Sequence, residues 1–130
     1  MQVADALDLA GGYEHVRFFT PEVDDLTVTI EAEGTIIGCA HGHQFRGPDK
    51  AHDWWAKMGH ARHRIGQAHI LLSGHFHHLQ VTDDSSRVAI TAPTTDPGSP
   101  WFDQRSGGGP RHGVLTFLTR DGQWTGLEIA

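Results

Sequence analysis

Two short histidine clusters carry the chemistry that this sequence advertises: Ala40-His41-Gly42-His43-Gln44 and Ser73-Gly74-His75-Phe76-His77-His78. Imidazole is the commonest protein ligand for transition metals and suits Zn, Mn, Fe and Ni. Two histidines spaced i, i+2 just past a strand face one cleft when the backbone turns there. Glycine before or between them permits that turn and a close approach to an ion. A ligating imidazole also needs its second ring nitrogen held by a supporting group; His43 and His78 are candidates for that role or for contact with substrate. The chain holds eleven histidines in 130 residues, where average usage gives about three. They are not gathered at one end as a purification tag would be.

The elements that must position these clusters are mostly strands. Leu26–Ile30 alternates apolar and polar residues, Glu33-Gly34 is a turn signal, and Thr35–Ala40 is a largely apolar strand that runs straight into His41. Ala68–Ser73 reads as a second buried strand that delivers Gly74-His75. Between them, Pro48-Asp49 opens a helix expected over about 49–59. Residues 4–10 read as a short helix stopped by Gly11-Gly12, and Val16–Phe19 as an edge strand ended by Pro21. A hairpin-like pair follows the second cluster, Leu79–Thr82 and Val88–Thr91 about a polar turn. Pro93–Gly109 is a long loop, and Gly113–Thr119 with Trp124–Ile129 forms a terminal hairpin about Asp121-Gly122. The sum is a strand-rich α/β chain with few helices, read as a single domain over 1–130.

Composition narrows the function classes. A formal net charge of −6 argues against general nucleic-acid binding by counterion release alone, though not against a nuclease whose ions supply positive charge. No apolar run approaches the roughly 20 residues that span a bilayer, and Met1–Ala10 contains no basic residue of the kind a signal peptide needs. One cysteine, Cys39, cannot form an internal disulfide, which fits a cytoplasmic location; buried within an apolar run, it reads as a small core residue. No membrane partner is expected.

The two clusters resemble the last two of five signature blocks of the calcineurin-like metallophosphoesterase superfamily: a strand-end His within His-Gly-His, then Gly-His-x-His. The resemblance implies the C-terminal half of a metallophosphoesterase-type α/β/β/α sandwich. It further implies that His41 and His75 bind one divalent metal ion and His77 the other, the ions being Mn²⁺, with Zn²⁺, Fe²⁺ or Ni²⁺ as alternatives. Similarity of the closing segment, Ser99-Pro-Trp-Phe102, to phage members points to the nuclease-like branch. The activity so implied is metal-dependent phosphoester hydrolysis of the phosphodiesterase or nuclease kind, with nucleic acid as the preferred substrate class and a small phosphodiester or a phosphoprotein as alternatives.

The sequence departs from the family in having no Asp-x-His, no Gly-Asp and no Gly-Asn-His. Those blocks supply the carboxylate that bridges two cations roughly 3.5–4 Å apart. The chain alone is therefore expected to lack a complete site, and to need a missing N-terminal half or a second copy as partner. The alternative is a non-catalytic module in which three imidazoles hold one ion, or an inactive remnant.

Other residues are weaker candidates. Trp101 and His112 are placed near substrate. Trp54 and Trp55 are adjacent, so at most one is fully buried on a helix. Lys57, Arg62 and Arg64 make a small basic patch, and His52, His60, His63 and His69 are expected to be solvated or to face DNA.

Overall fold

Strand pairing begins where alternation is clearest. Thr27–Ala32 (β1) and Thr35–Ala40 (β2) form an antiparallel hairpin closed by Glu33-Gly34, with Thr27 opposite Ala40. The computed structural model describes residues 3–84, 86–98, 109 and 111–130. From β2 the chain crosses over through a 3-10 turn, Pro48–Lys50, the helix Ala51–His60 (α2), and a second 3-10 turn, Arg64–Gln67. It returns as Ile70–Ser73 (β3), parallel to β2, with Ala40 level with Ser73. Gln80–Asp83 (β4) and Val88–Thr91 (β5) complete a five-stranded sheet of order β1-β2-β3-β5-β4, in which β5 runs parallel to β3 and β4 antiparallel to β5. Leu115–Arg120 (β6) and Gln123–Ile129 (β7) pair as a separate antiparallel hairpin.

The side-chain period of two sorts the residues of the central strands between two cores. Ala40, Leu71 and Ala89 face the crossover and pack with Phe45, Ala51, Trp55, Ile65 and Ala68. Ile37, Ile70, Val88 and Ile90 face the other way, under Leu115, Phe117, Trp124 and Leu127 of the β6–β7 hairpin. The described residues thus stack as helix, sheet and hairpin. Ile65, Ile70, Leu71, Ile90 and Trp55 are fully buried, each contributing about 1.5–3 kcal/mol of hydrophobic stabilisation. The Trp55 indole N–H donates to the Ile65 carbonyl at 2.7 Å, which anchors α2 to the following turn. A Cβ on Gly38 would collide with Ile65, so hydrogen at this position lets that turn rest on β2.

The hydrophobic pattern locates most elements within a residue or two of their observed bounds. The edge strand expected at Val16–Phe19 does not form. Those residues are exposed and outside any sheet, and β1 is the terminal strand on that side among the described residues. Helix α1 (Val3–Ala10) does form before Gly11. No helix among the described residues is long and apolar enough to cross a membrane. Phe18, Phe19, Val23 and Leu26 near the N-terminus, and Val114 and Leu118 on the hairpin, are exposed apolar side chains.

Candidate functional site

Because β2 and β3 are parallel neighbours in register, their C-terminal ends release the two histidine clusters side by side. The Gly74 amide donates to the His41 carbonyl at 3.0 Å, continuing the strand ladder one step beyond β2. The chain then turns sharply at both places. Gly42 has φ +113°, and a Cβ there would sit 2.9 Å from the Gly74 oxygen and 3.1 Å from the His75 Cβ. Only glycine lets the loops approach so closely. The Gln44 side chain locks the first loop, its amide oxygen accepting from the Gly42 N–H at 2.8 Å and its NH2 donating to the Leu26 carbonyl at 3.2 Å.

The second loop stores backbone strain. His75 and His77 both have positive φ, +68° and +62°. A left-handed non-glycine residue is uncommon, and such residues cluster at active sites and ligand clamps. Alternation of left-handed residues turns the 74–78 loop across the end of β5 before β4 begins.

The result is a group of imidazole rings at the sheet end. His41 and His75 have ring centroids 5.0 Å apart, His41 and His43 5.2 Å, and His43 and His75 6.5 Å. The Nδ1 atoms of His41 and His43 lie 3.1 Å apart. In a neutral pair one nitrogen donates to the other. His43, expected as a supporting group, thus stands inside the cluster itself. His77 is exposed and makes no ring contact with the other three among the described contacts. His78 turns its Nδ1 to the Phe76 carbonyl, 2.9 Å away. His112 is exposed just before Gly113, whose amide donates to the Thr94 carbonyl beyond β5, so it sits at the same end of the sheet. Trp101 and Phe102 lie outside the described residues.

The donors suit a divalent transition metal in kind and in spacing. Two nitrogens at about 2.0–2.1 Å from one ion are themselves about 3–3.4 Å apart, the range in which the His41 and His43 Nδ1 atoms already fall. They do not suit it in number. Among the described residues no set of three or more His, Cys, Asp or Glu side chains is disposed to hold an ion, and no carboxylate joins the histidine cluster.

Three other histidines serve the scaffold rather than solvent or DNA. His69 Nδ1 accepts from the Ile36 amide at 2.9 Å, which fixes the tautomer with the proton on Nε2. His52 lies 2.9 Å through Nε2 from the Thr82 carbonyl and 3.3 Å through Nδ1 from Asp84, joining α2 to β4. His63 faces Asp25 at 3.7 Å. Each bond spans at least thirty positions in the chain, so no local pattern announces it. The basic residues also separate. Lys57 lines a groove with Arg46 and Lys50, whereas Arg64 lines a cavity beside Phe18 and Phe19. Trp55 is the buried member of its pair and Trp54 the half-buried one.

No protein-family model matches the sequence, and neither does any curated protein. The fold has solved relatives. Wild-type Vps29 from Entamoeba histolytica, crystallised with zinc, superposes with a TM-score of 0.56 at 19% identity, over 81% of this chain and 53% of that one. A single mutant of the same protein gives 0.53 at 22% identity, over 80% and 53%. A predicted phosphoesterase from Streptococcus pneumoniae aligns over 58% of this chain and 41% of its own at 0.42, too low to bear on the fold. The chain spans about half the length of the solved structures it matches. The strand-rich α/β architecture with few helices is the fold that this chain shares with Vps29.

Proposed function

We propose that this chain supplies the histidine half of a metal-dependent phosphoester hydrolase of the phosphodiesterase or nuclease kind, acting in the cytoplasm. His41, His75 and His77 hold divalent metal in this reading, with His43, His78, His112 and Trp101 beside them or facing substrate. The observation that carries it is the convergence of two glycine-turned histidine loops at the ends of neighbouring parallel strands, the rings of His41 and His75 being 5.0 Å apart. Ligands in layered α/β proteins gather at such strand ends. A divalent pair held there, Mn²⁺ or Zn²⁺, would supply Lewis-acid chemistry for phosphoester hydrolysis. The bridging carboxylate and the remaining ligands come from a missing N-terminal half or a second copy. That partner would also cover Phe18, Phe19, Val23 and Leu26.

A second reading has its own support. The His41–His43 spacing, and the lack among the described residues of any set of three ligands at the cluster, favour a single ion held without catalysis. Calorimetric titration with Zn²⁺ and Mn²⁺, paired with hydrolysis of bis(p-nitrophenyl) phosphate, separates the two. The catalytic reading expects metal binding that His41→Ala and His75→Ala each weaken, and hydrolysis once an N-terminal partner is added. Binding of one ion with no hydrolysis under any pairing supports the module. A chain that binds neither ion defeats both.

A further inference from the structure

A groove of about 340 Å³ opens between the first histidine loop and α2, walled by Arg46, Lys50, Lys57 and Asp53 and floored by Phe45 and Trp54. Its size is that of a site for one small ligand, about 300 Å³ upwards. Three cations face a single carboxylate here, in a chain whose net charge is −6. Lys50 also pairs with Asp49, 3.5 Å away, but both side chains are more than half exposed, so that contact yields readily to a better anion. The floor is aromatic and continuous with the histidine centre. Trp54 lies 5.5 Å from Phe45, Phe45 lies 5.9 Å from Phe76, and Phe76 meets His75 edge-on at 5.1 Å.

We propose that this groove seats one nucleotide of a single-stranded nucleic acid, its base stacked on Trp54 and its flanking phosphates held by Arg46, Lys50 and Lys57. The inference rests on the phosphoesterase reading for what happens next to the strand, but the binding itself needs no metal. A stacking platform set among backbone-tracking cations is how strands are held without regard to sequence. Phosphate recognition alone has no use for an aromatic floor, which is what favours a nucleotide over a phosphopeptide or a lipid headgroup. Phe45 and Phe76 are the two rings between Trp54 and His75, so the groove and the histidine cluster share one aromatic support.

The test is fluorescence anisotropy of the whole chain with a labelled oligothymidylate in EDTA, with thermal melts to confirm that each variant is folded. Reversing two exposed charges, Arg46→Glu with Lys57→Glu, should weaken binding roughly tenfold or more and lower the salt slope by about two. Trp54→Leu keeps an apolar side chain over Phe45 and should cost about 5- to 150-fold through the lost stack. An abasic strand should bind the natural protein as weakly as the oligothymidylate binds Trp54→Leu. Arg120→Glu, exposed at the far end of β6, should leave binding unchanged. Equal affinity for abasic and base-bearing strands, equal affinity of the charge-reversed variant, or no binding by the natural protein overturns the proposal. Hydrolysis of bis(p-nitrophenyl) phosphate is read separately. Turnover without strand binding removes the groove and keeps the phosphoesterase reading; groove-dependent binding without turnover does the reverse.

Discussion

Replacing Gly42 with alanine measures what holding the two histidine loops in contact is worth. At φ +113° an L-residue is strained, and the new Cβ would meet the Gly74 oxygen at 2.9 Å and the His75 Cβ at 3.1 Å. Backbone strain of that kind costs about 1–3 kcal/mol. Neither neighbour is the free end of a flexible side chain, so the loops must part, which weakens the Gly74-to-His41 hydrogen bond, worth about 0.5–1.5 kcal/mol. The expected total is roughly 2–4 kcal/mol, close to a 6–20 °C fall in Tm for a domain of this length. Gly126→Ala is the matched control. It too has positive φ, +63°, but its Cβ would find only Leu118 atoms at 3.9–4.0 Å. It should cost about 1–2 kcal/mol from conformation alone. Urea unfolding of both variants gives the stabilities, and zinc titration should show Gly42→Ala binding about 10- to 100-fold more weakly, the usual effect of losing a ligand's support. The reasoning is refuted if Gly42→Ala unfolds at or above the midpoint of Gly126→Ala with zinc affinity intact.

Three further outcomes follow from the scaffold. His52→Ala should destabilise by about 1–2 kcal/mol in chemical denaturation, since it leaves the Thr82 carbonyl without its side-chain donor and unties α2 from β4. At Asp25, the hydroxyl of Thr27 donates at 2.7 Å and its amide at 2.9 Å, holding the carboxyl below its ordinary value of 3.8. A lowered folded-state value stabilises above the unfolded one and is lost as pH falls through the folded one. Asp25→Asn should therefore be the less stable protein at neutral pH, with the gap closing as an acid titration passes below 3.8. Burial pushes the Cys39 thiol up, so its reaction with a thiol reagent at mildly alkaline pH should be slower in the native protein than in urea.

Much of this architecture is legible in the sequence because it is local. Thr35–Ala40 ends where its apolar run ends, and the Glu33-Gly34 turn closes β1 onto β2 as alternation requires. The strand-end placement of both histidine loops is likewise visible in the run of apolar residues before His41 and His75. What escapes is non-local. Val16–Phe19 has the composition of a strand but pairs with none of the described strands. The roles of His52, His63 and His69 depend on atoms thirty or more positions away. His43 joins the ring cluster only because Gly42 takes a backbone angle that residue type permits but does not dictate. The groove at Trp54 needs α2 docked beside the first loop, so its cations read from the sequence as a different patch.

The parallel pairing of β2 with β3 separates two things that evolution can then change independently. The histidines are placed by the strand ends, with Ala40 level with Ser73, and by the Gly42 turn and the Gln44 lock, whereas Lys50, Trp54 and Lys57 ride on the crossover between those strands. A lengthened, shortened or exchanged crossover leaves the imidazoles where they are while replacing the surface that meets them. On the proposed reading of the groove, specificity is a cassette, and a graft of residues 46–63 from one relative into another should transfer what is bound without disturbing the residues that sit at the sheet end.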